Sequence, residues 1–194
     1  MGKNNKHLCA CGSGKRTKEC CREISRSTKP MTSSTKLTMR INAESLAKAG
    51  KHSEAIEILE KLLARSPRNP LIWNDLGVQY EAAGQIDKAF IALRRGHAIE
   101  STYPPTLYNL GKFTLDRYMS LNEAGLATEA EKQDMLAEAI SFLNAYLDRD
   151  PDSADGHYWI ALAYGLNQDE RMSLAHTTTA IRLKQTVEIL RIGG

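Results

Sequence analysis

The chain has 194 residues, of which 42% are hydrophobic and 25% are charged, a composition typical of folded globular proteins rather than of disordered or fibrous ones. The formal net charge of +3 hides an asymmetry, because residues 1–40 carry ten Lys and Arg residues against two acidic ones and the rest of the chain is net acidic. No apolar run approaches the ~20 residues that a membrane-spanning helix needs, and the N-terminus lacks the apolar core of a secretory signal, so we expect a cytoplasmic protein with no membrane span.

All four cysteines lie within one short stretch near the N-terminus, as Cys9, Cys11, Cys20 and Cys21. Because cytoplasmic thiols stay reduced, clustered cysteines there favour metal binding over disulfides. Four thiolates match the ligand set of a closed, structural zinc site, which leaves no open coordination position for catalysis. The sequence therefore predicts one structural Zn²⁺ bound by these four residues, in a module that spans residues 1–24.

The run Cys9–Lys15, CACGSGK, followed by the pair Cys20–Cys21, resembles the SEC-C motif. This motif is the zinc-binding segment at the C-terminus of the preprotein translocase motor SecA, and it is also attached to many other bacterial proteins. The resemblance covers about residues 7–24. It implies zinc at the four cysteines and a partner in protein export or on the ribosome. This chain departs from the motif at Ala10, where the family usually has Pro, and at Thr17, where it has an aromatic residue.

Two alternatives stay open for this segment. Cys20 and Cys21 lie among basic neighbours that favour the reactive thiolate, so a thiol redox sensor is one alternative, and His7 is a possible replacement for one cysteine ligand. The basic residues either offset the negative charge of four zinc-bound thiolates or bind an acidic partner such as nucleic acid or the ribosome.

Residues 25–35, SRSTKPMTSST, are rich in Ser and Thr, carry Arg26 and Lys29, and include Pro30. This composition predicts a flexible linker between the cysteine module and the rest of the chain.

Residues 70–103 carry a regularly spaced set of apolar and small residues: Trp73, Leu76, Gly77, Tyr80, Gly84, Ala89 and Leu93. The first four lie on one face of a helix, and Gly84 is suited to end that helix because glycine tolerates the left-handed conformation of a helix stop. Gly77 and Ala89 are small, which indicates that two helices approach closely there. The set resembles the tetratricopeptide repeat (TPR), with Leu93 in the position usually held by Phe. The resemblance implies an all-α fold, a TPR-type α-solenoid of helical hairpins.

The same period of about 34 residues predicts further repeats on both sides of this one. The expected TPR domain covers residues 36–194, with repeats at about 36–69, 70–103, 104–153 and 154–187. The third repeat is 16 residues longer than the period, which predicts longer helices and a lengthened loop near Asn122–Thr128. The apolar tail after residue 186 is expected either to continue the last helix as a cap or to form an exposed contact surface.

In TPR proteins, the first helices of the hairpins line a concave surface that binds extended peptides. The matching positions predict a peptide-binding groove with six candidate residues: Asn74, Tyr108, Asn109, Lys112, Tyr158 and Trp159. Asparagines bind peptide backbone, and the aromatic residues offer flat apolar contact; the alternative for Tyr158 and Trp159 is packing between helices. At the positions that grip a chaperone's C-terminal carboxylate in some TPR domains, this chain keeps one required charge, at Arg40, and has Asp75 at another, where its negative charge would repel a carboxylate. We therefore do not expect a chaperone-tail clamp.

No spacing of His, Asp, Glu, Ser or Cys residues in the repeats forms a recognisable acid–base pair or activated nucleophile. The sequence favours a non-enzymatic, zinc-binding adaptor that binds a protein or peptide in its TPR groove. The alternatives are nucleic-acid or ribosome binding through the basic N-terminal arm and, more weakly, thiol redox sensing. The sequence leaves the identity of the partner and the oligomeric state open.

Overall fold

The computed structural model describes residues 31–192, with side chains described through Thr186, and this part of the chain is all-α. The predicted zinc ligands and most of the predicted linker lie outside the described residues. The described helices are α1 (Ser33–Lys48), α2 (His52–Arg65), α3 (Pro70–Ala82), α4 (Ile86–Ile99), α5 (Pro104–Glu123), α6 (Glu129–Leu147), α7 (Ala154–Leu166) and α8 (Glu170–Ile192).

The chain divides between Ser101 and Thr102 into two compact units. Helices α1–α4 form the first unit and α5–α8 form the second. Within each unit consecutive helices pair as hairpins, and the first helix of the second hairpin packs on the second helix of the first. Each unit therefore contains two of the four predicted helical hairpins, and the predicted hairpin architecture is confirmed.

Glycines in the left-handed conformation end the first helix of the first two hairpins. Gly50 and Gly84 have φ values of +73° and +72°. At the second turn, the Gly84 amide donates to the Glu81 carbonyl at 2.9 Å and the Gln85 amide donates to the Tyr80 carbonyl at 2.8 Å, so the carbonyls at the helix end are satisfied. The prediction that Gly84 ends its helix is confirmed. Gln168 occupies the same position in the last hairpin with φ +61°, a conformation that costs a residue with a side chain about 1–2 kcal/mol.

Close helix approach explains the small residues of the second and third hairpins. A Cβ atom added to Gly77 would lie 2.6 Å from Leu93 Cγ, and one added to Gly111 would lie 2.5 Å from Leu143 Cγ. Both leucines are fully buried, with 1% and 0% of their surface exposed. The expectation that Gly77 marks a close contact between two helices is confirmed, and the same contact recurs in the second unit.

The extra length of the third repeat is mostly helical. Helix α5 has 20 residues and α6 has 19, against 13 for α3 and 14 for α4. Because the seven extra residues of α5 make nearly two full turns, its apolar face continues in phase, and Tyr118 is buried with Leu136 of α6 in one core cluster. The predicted longer helices are confirmed. The loop at Ala124–Thr128 has five residues, against three in the turns of the other described hairpins, so the predicted lengthening of the loop is also confirmed. Thr128 and Glu131 form a capping box that starts α6.

The two ends of the described chain are both helical. The Thr32 hydroxyl accepts a hydrogen bond from the Thr35 amide and caps α1, so α1 begins at Ser33, three residues before the predicted start of the TPR domain at Lys36. At the other end, α8 runs without a break from Glu170 to Ile192, which matches the expectation in which the apolar tail continues the last helix.

Candidate functional site

The second unit brings together aromatic side chains from three of its helices. Trp159 of α7 donates a hydrogen bond from Nε1 to the hydroxyl oxygen of Tyr108 on α5, at 3.0 Å. The ring of Tyr146 on α6 packs edge-on against the Tyr108 ring, with 5.2 Å between centroids. All three side chains are half-buried, so each shows part of its ring to solvent while its position is fixed by its neighbours.

Lys112 adds a cation to these rings. Its Nζ lies 5.5 Å from the centre of the Trp159 ring and 2.8 Å from Asp116 Oδ2, one helical turn further along α5. The side chain is partly buried, so both interactions are stronger than they would be in open solvent. We call Tyr108, Lys112, Tyr146 and Trp159 the Trp159 cluster.

The hydroxyl groups of the Trp159 cluster stay protonated at neutral pH. Burial raises the pKa of Tyr108, although the hydrogen bond from Trp159 opposes the shift, and burial also raises the pKa of Tyr146. The Tyr146 hydroxyl donates to Asp150 Oδ2 at 2.8 Å. The Tyr108 hydroxyl accepts from Trp159, so its own proton is not used in that bond.

The first unit has an ion pair at the same two repeat positions. Counted from the start of each repeat, Arg40 corresponds to Tyr108 and Asp75 corresponds to Trp159. Arg40 Nε lies 3.4 Å from Asp75 Oδ2, and the two side chains border a pocket of about 290 Å³ beside α1 and α3. Burial raises the pKa of Asp75, and the Arg40 charge opposes that shift. Gln79, one turn after Asp75 on α3, also lines this pocket, and its Oε1 atom lies 3.0 Å from His52 Nδ1.

The structure brings three of the six predicted groove residues together, namely Tyr108, Lys112 and Trp159. Asn109 is half-buried on the same helix. Asn74 is only 6% exposed, and its side chain hydrogen-bonds to Asp75; its predicted contact with peptide stays a prediction.

Tyr158 is 53% exposed and lies beside α8, where Lys184 Nζ is 5.9 Å from its ring centre. Its ring also packs edge-on against the Trp159 ring, with 5.4 Å between centroids. The Tyr158 side chain therefore borders the Trp159 cluster, and its predicted contact with peptide stays a prediction. Sequence analysis missed Tyr146 as a site residue, because only first-helix positions were considered and Tyr146 lies on a second helix.

A pair of histidines links the two helices of the last hairpin. The Nδ1 atoms of His157 and His176 lie 2.8 Å apart, and His157 Nε2 lies 3.0 Å from the Pro151 carbonyl oxygen. A carbonyl only accepts, so His157 carries its proton on Nε2, and the neutral pair requires that His176 donate from Nδ1. The His176 ring also stacks on the Tyr164 ring, with 5.7 Å between centroids.

This histidine pair predicts a loss of stability at mildly acidic pH. Burial lowers the pKa of His176 below its usual value, and the neighbouring His157 lowers it further. The unfolded chain therefore binds the proton at a higher pH than the folded chain does. The contribution to stability is complete above the usual histidine pKa of about 6.5, and it is lost as pH falls from there through the lowered folded pKa.

Urea unfolding between pH 8 and pH 5 measures this effect. The His176→Asn variant keeps a donor near the Nδ1 position but does not titrate, so its free energy of unfolding should decrease less with acid than that of the wild type. Since the other histidines are the same in both proteins, the difference between the two curves isolates His176 and its contact with His157. Parallel curves would contradict the expectation.

Comparison with known proteins identifies the type of hairpin. Residues 46–112 match the tetratricopeptide repeat family model. No curated protein sequence is significantly similar to the chain. Among the residues that the structure describes, no helix combines the length and apolar character of a membrane span, and no group of three His, Cys, Asp or Glu side chains is placed to hold a metal ion.

Several solved structures share the fold. MamA is 16% identical with a TM-score of 0.61 and covers 88% of both chains. A thermophilic TPR protein of Thermus thermophilus is 18% identical with a TM-score of 0.65, over 77% of this chain and 75% of that one. The human IFIT1 dimer with PPP-AAAA is 17% identical with a TM-score of 0.63, over 74% of this chain and 31% of that one. At these identities the likeness concerns the fold, and the described chain has the helical hairpins of a TPR-type α-solenoid.

Proposed function

We propose that this chain, built from tetratricopeptide hairpins, is a non-enzymatic adaptor that binds an extended segment of another protein. The observation that carries the proposal is the Trp159 cluster, in which two successive first helices of the second unit place half-exposed rings and a lysine side by side. Rings held by neighbouring side chains lose little entropy when a ligand covers them, and Trp and Tyr are enriched among residues that dominate binding energy.

The chemistry of the cluster defines the preferred ligand. The flat faces of Trp159 and Tyr108 suit a proline or an aromatic side chain of a peptide. The unused proton of the Tyr108 hydroxyl suits a peptide carbonyl, and the Lys112 ammonium suits a carbonyl or a carboxylate. Asp116 already balances the charge of Lys112, so the cluster favours a peptide with at most a single acidic group at this point.

A selection from a phage-displayed library of random peptides on the full chain tests this function. We expect enriched peptides to contain a proline or an aromatic residue, and their dissociation constants to rise at least about tenfold for Lys112→Ala or Trp159→Phe. The phenylalanine keeps apolar packing but removes the donor to Tyr108. Isothermal titration calorimetry with synthetic versions of the enriched peptides gives the constants.

Lys132→Ala is the matched control for charge, because Lys132 also pairs with a carboxylate on its own helix, at 2.7 Å from Glu129, but belongs to α6. Its peptide affinities should equal those of the wild type. Enriched peptides that bind all four proteins equally would exclude the Trp159 cluster as the binding site, and a selection with no enrichment would contradict peptide binding.

The N-terminal segment completes the proposed adaptor as a zinc module. Its support is the SEC-C-like run of residues 7–24, with Zn²⁺ bound by Cys9, Cys11, Cys20 and Cys21. By its resemblance to the motif, the module docks on a cytoplasmic partner in protein export or on the ribosome, while the hairpins bind a second protein. An adaptor of this kind needs no catalytic group, because its effect comes from holding two partners close together.

Nucleic-acid or ribosomal RNA binding through the basic arm remains the alternative function. Its support is the excess of Lys and Arg in residues 1–40. Binding through phosphate contacts weakens steeply with salt, and replacement of Lys15, Arg16 and Lys18 with Ala would abolish it while sparing peptide binding by the Trp159 cluster.

A further inference from the structure

An apolar groove of about 400 Å³ lies between α7 and α8 of the last hairpin. Its lining includes Tyr158, Leu162 and Ile181, with Lys184 at one end. None of the four residues of the Trp159 cluster lines this groove, although the groove adjoins the cluster where the Tyr158 ring contacts the Trp159 ring, at 5.4 Å between centroids. The described residues place no helix over it.

The position of the groove within the repeat explains why its lining is apolar and uncovered. Counted from the start of each repeat, Tyr158 corresponds to Arg40, and Leu162 corresponds to Glu44. Those two first-repeat residues line the pocket beside α3, the first helix of the following hairpin. The α7/α8 groove is therefore the surface on which the first helix of a further hairpin would pack.

Residues of the second helices also show that the last hairpin lacks a following helix among the described residues, because positions covered on α6 are exposed on α8. Leu147 on α6 is 8% exposed because α7 covers it: a Cβ atom at Gly156 would lie 2.9 Å from Leu147 Cδ2. The corresponding residue on α8, Ile181, is 52% exposed. Ile140 on α6 is partly buried against the core cluster, and the corresponding Leu174 is 69% exposed. The last hairpin thus presents apolar positions that are covered elsewhere in the unit.

Helix α1 of a second copy is a poor occupant for this groove. The residues that seat a first helix on the preceding hairpin are Leu76 in α3 and Ile160 in α7, which are 1% and 0% exposed. The corresponding residue of α1 is Asn42, which is exposed together with Ser45 one turn later. Leu37 and Ile41 of α1 are also exposed, at 56% and 57%, so this helix offers a mixed surface. The polar residue at the seating position does not favour head-to-tail stacking.

Helix α8 is instead complementary to a second copy of itself. Leu174 and Ile181 are seven residues apart and so lie on one face, two turns from each other. Glu170 precedes them and Lys184 follows them on the same side of the helix. When two copies of α8 run antiparallel about a two-fold axis near Thr177, Leu174 of each copy lies beside Ile181 of the other. The same arrangement sets Lys184 of each copy beside Glu170 of the other, whereas a parallel arrangement would oppose like charges.

The hydroxyl groups at the centre of this face of α8 already have hydrogen-bond partners within the helix. The hydroxyl of Thr177 donates to the Ser173 carbonyl at 2.8 Å, and that of Thr178 donates to the Leu174 carbonyl at 2.8 Å. Both polar groups are therefore already satisfied within the helix, and covering them leaves no unpaired donor. Lys184 lies 3.7 Å from Asp155 of its own chain, and both side chains are largely exposed, so the lysine can reach a second carboxylate at the rim.

We propose that the α7/α8 face is a homodimer interface, in which the α8 helices of two copies pack antiparallel about a two-fold axis and fill each other's apolar groove. Two-fold dimers are the commonest oligomers of soluble proteins, and each contact in such an interface occurs twice.

Sedimentation velocity of the full chain, from low micromolar to near-millimolar concentration, tests the proposal. We expect reversible dimers in the wild type and an increase of about 100-fold in the dimer dissociation constant for Ile181→Glu, because each dimer would bury two charged side chains. Leu126→Glu is the matched control: Leu126 is 74% exposed but lies in the α5–α6 loop, so this variant should dimerise like the wild type. Circular dichroism checks that both variants fold.

Charge reversal tests the antiparallel geometry without touching the apolar residues. Lys184→Glu and Glu170→Lys should each weaken the dimer about tenfold, and the double variant should recover most of the affinity because the pair re-forms across the axis. A wild type that stays monomeric throughout the concentration range would overturn the proposal. So would a dimer that is lost in Ile41→Glu but kept in Ile181→Glu, which would place the contact on α1.

Discussion

Replacement of Leu143 with Ala should lower the free energy of unfolding of the second unit by about 2–5 kcal/mol. Leu143 has none of its surface exposed and belongs to the core cluster that joins α5, α6 and α7. Truncation removes its buried methyl groups and leaves a cavity against Gly111, where no Cβ atom exists to fill it.

Gly111→Ala should lower the free energy of unfolding of the wild type and raise that of the Leu143→Ala variant. In the wild type its Cβ atom would lie 2.5 Å from Leu143 Cγ, and the resulting overpacking costs about 1–3 kcal/mol, partly offset by the helix preference of alanine over glycine. In the Leu143→Ala background the clash disappears and the new methyl group fills part of the cavity. The double variant should therefore be more stable than Leu143→Ala alone.

Urea unfolding followed by circular dichroism gives the free energies, and hydrogen exchange read by mass spectrometry assigns them to the second unit. Gly165→Ala is the control for helix preference, since its Cβ atom would meet only the Ser173 side chain, at 3.2 Å from Oγ, and should be far less costly than Gly111→Ala. In the first unit, Gly77→Ala should likewise destabilise the wild type and stabilise the Leu93→Ala variant. Additive effects of Gly111→Ala and Leu143→Ala would show that the two side chains do not share the same space.

These glycines also show why much of the fold was predictable from the sequence. Gly84 takes a left-handed conformation, a requirement that acts within a few residues along the chain. Gly77 is required by Leu93, which lies on the paired helix of the same hairpin and so within the same sequence repeat. The apolar spacing of Trp73, Leu76 and Tyr80 follows one helical face, and those residues are buried as expected. The lengthened third hairpin was foreseeable for the same reason, since helical periodicity continues through the inserted residues.

Sequence reasoning failed where the environment of a residue depends on distant parts of the chain. Gln168 takes the turn position that Gly50 and Gly84 occupy, and the surrounding helices impose a conformation that glutamine does not prefer. Trp159 and Tyr158 are adjacent and both aromatic, yet only Trp159 meets α5. The helix that each ring meets depends on which hairpin lies on each side of α7, and repeat position alone does not provide that information.

The zinc module gives the other prediction with a large effect. We expect the chain, purified without added metal, to contain about one zinc per molecule, with the thiols of Cys9, Cys11, Cys20 and Cys21 protected from alkylation. Binding of Zn²⁺ in small four-ligand modules contributes on the order of 10–16 kcal/mol, so the metal should survive purification and dialysis. Elemental analysis and thiol counting provide the measurement.

The variant Cys20→Ser/Cys21→Ser should lose the zinc, because two remaining thiolates do not complete a tetrahedral site, and its remaining thiols should react freely. His7→Ala is the control, and it should retain zinc if the four thiolates suffice as ligands. The redox alternative predicts the opposite pattern: no metal, reactive thiols in the wild type, and a disulfide between cysteines after mild oxidation that a chelator does not affect. Because the Trp159 cluster is built from residues 108–159, peptide binding should be the same in the cysteine variant and the wild type. Loss of zinc with loss of peptide binding would contradict the assignment of the two functions to separate parts of the chain.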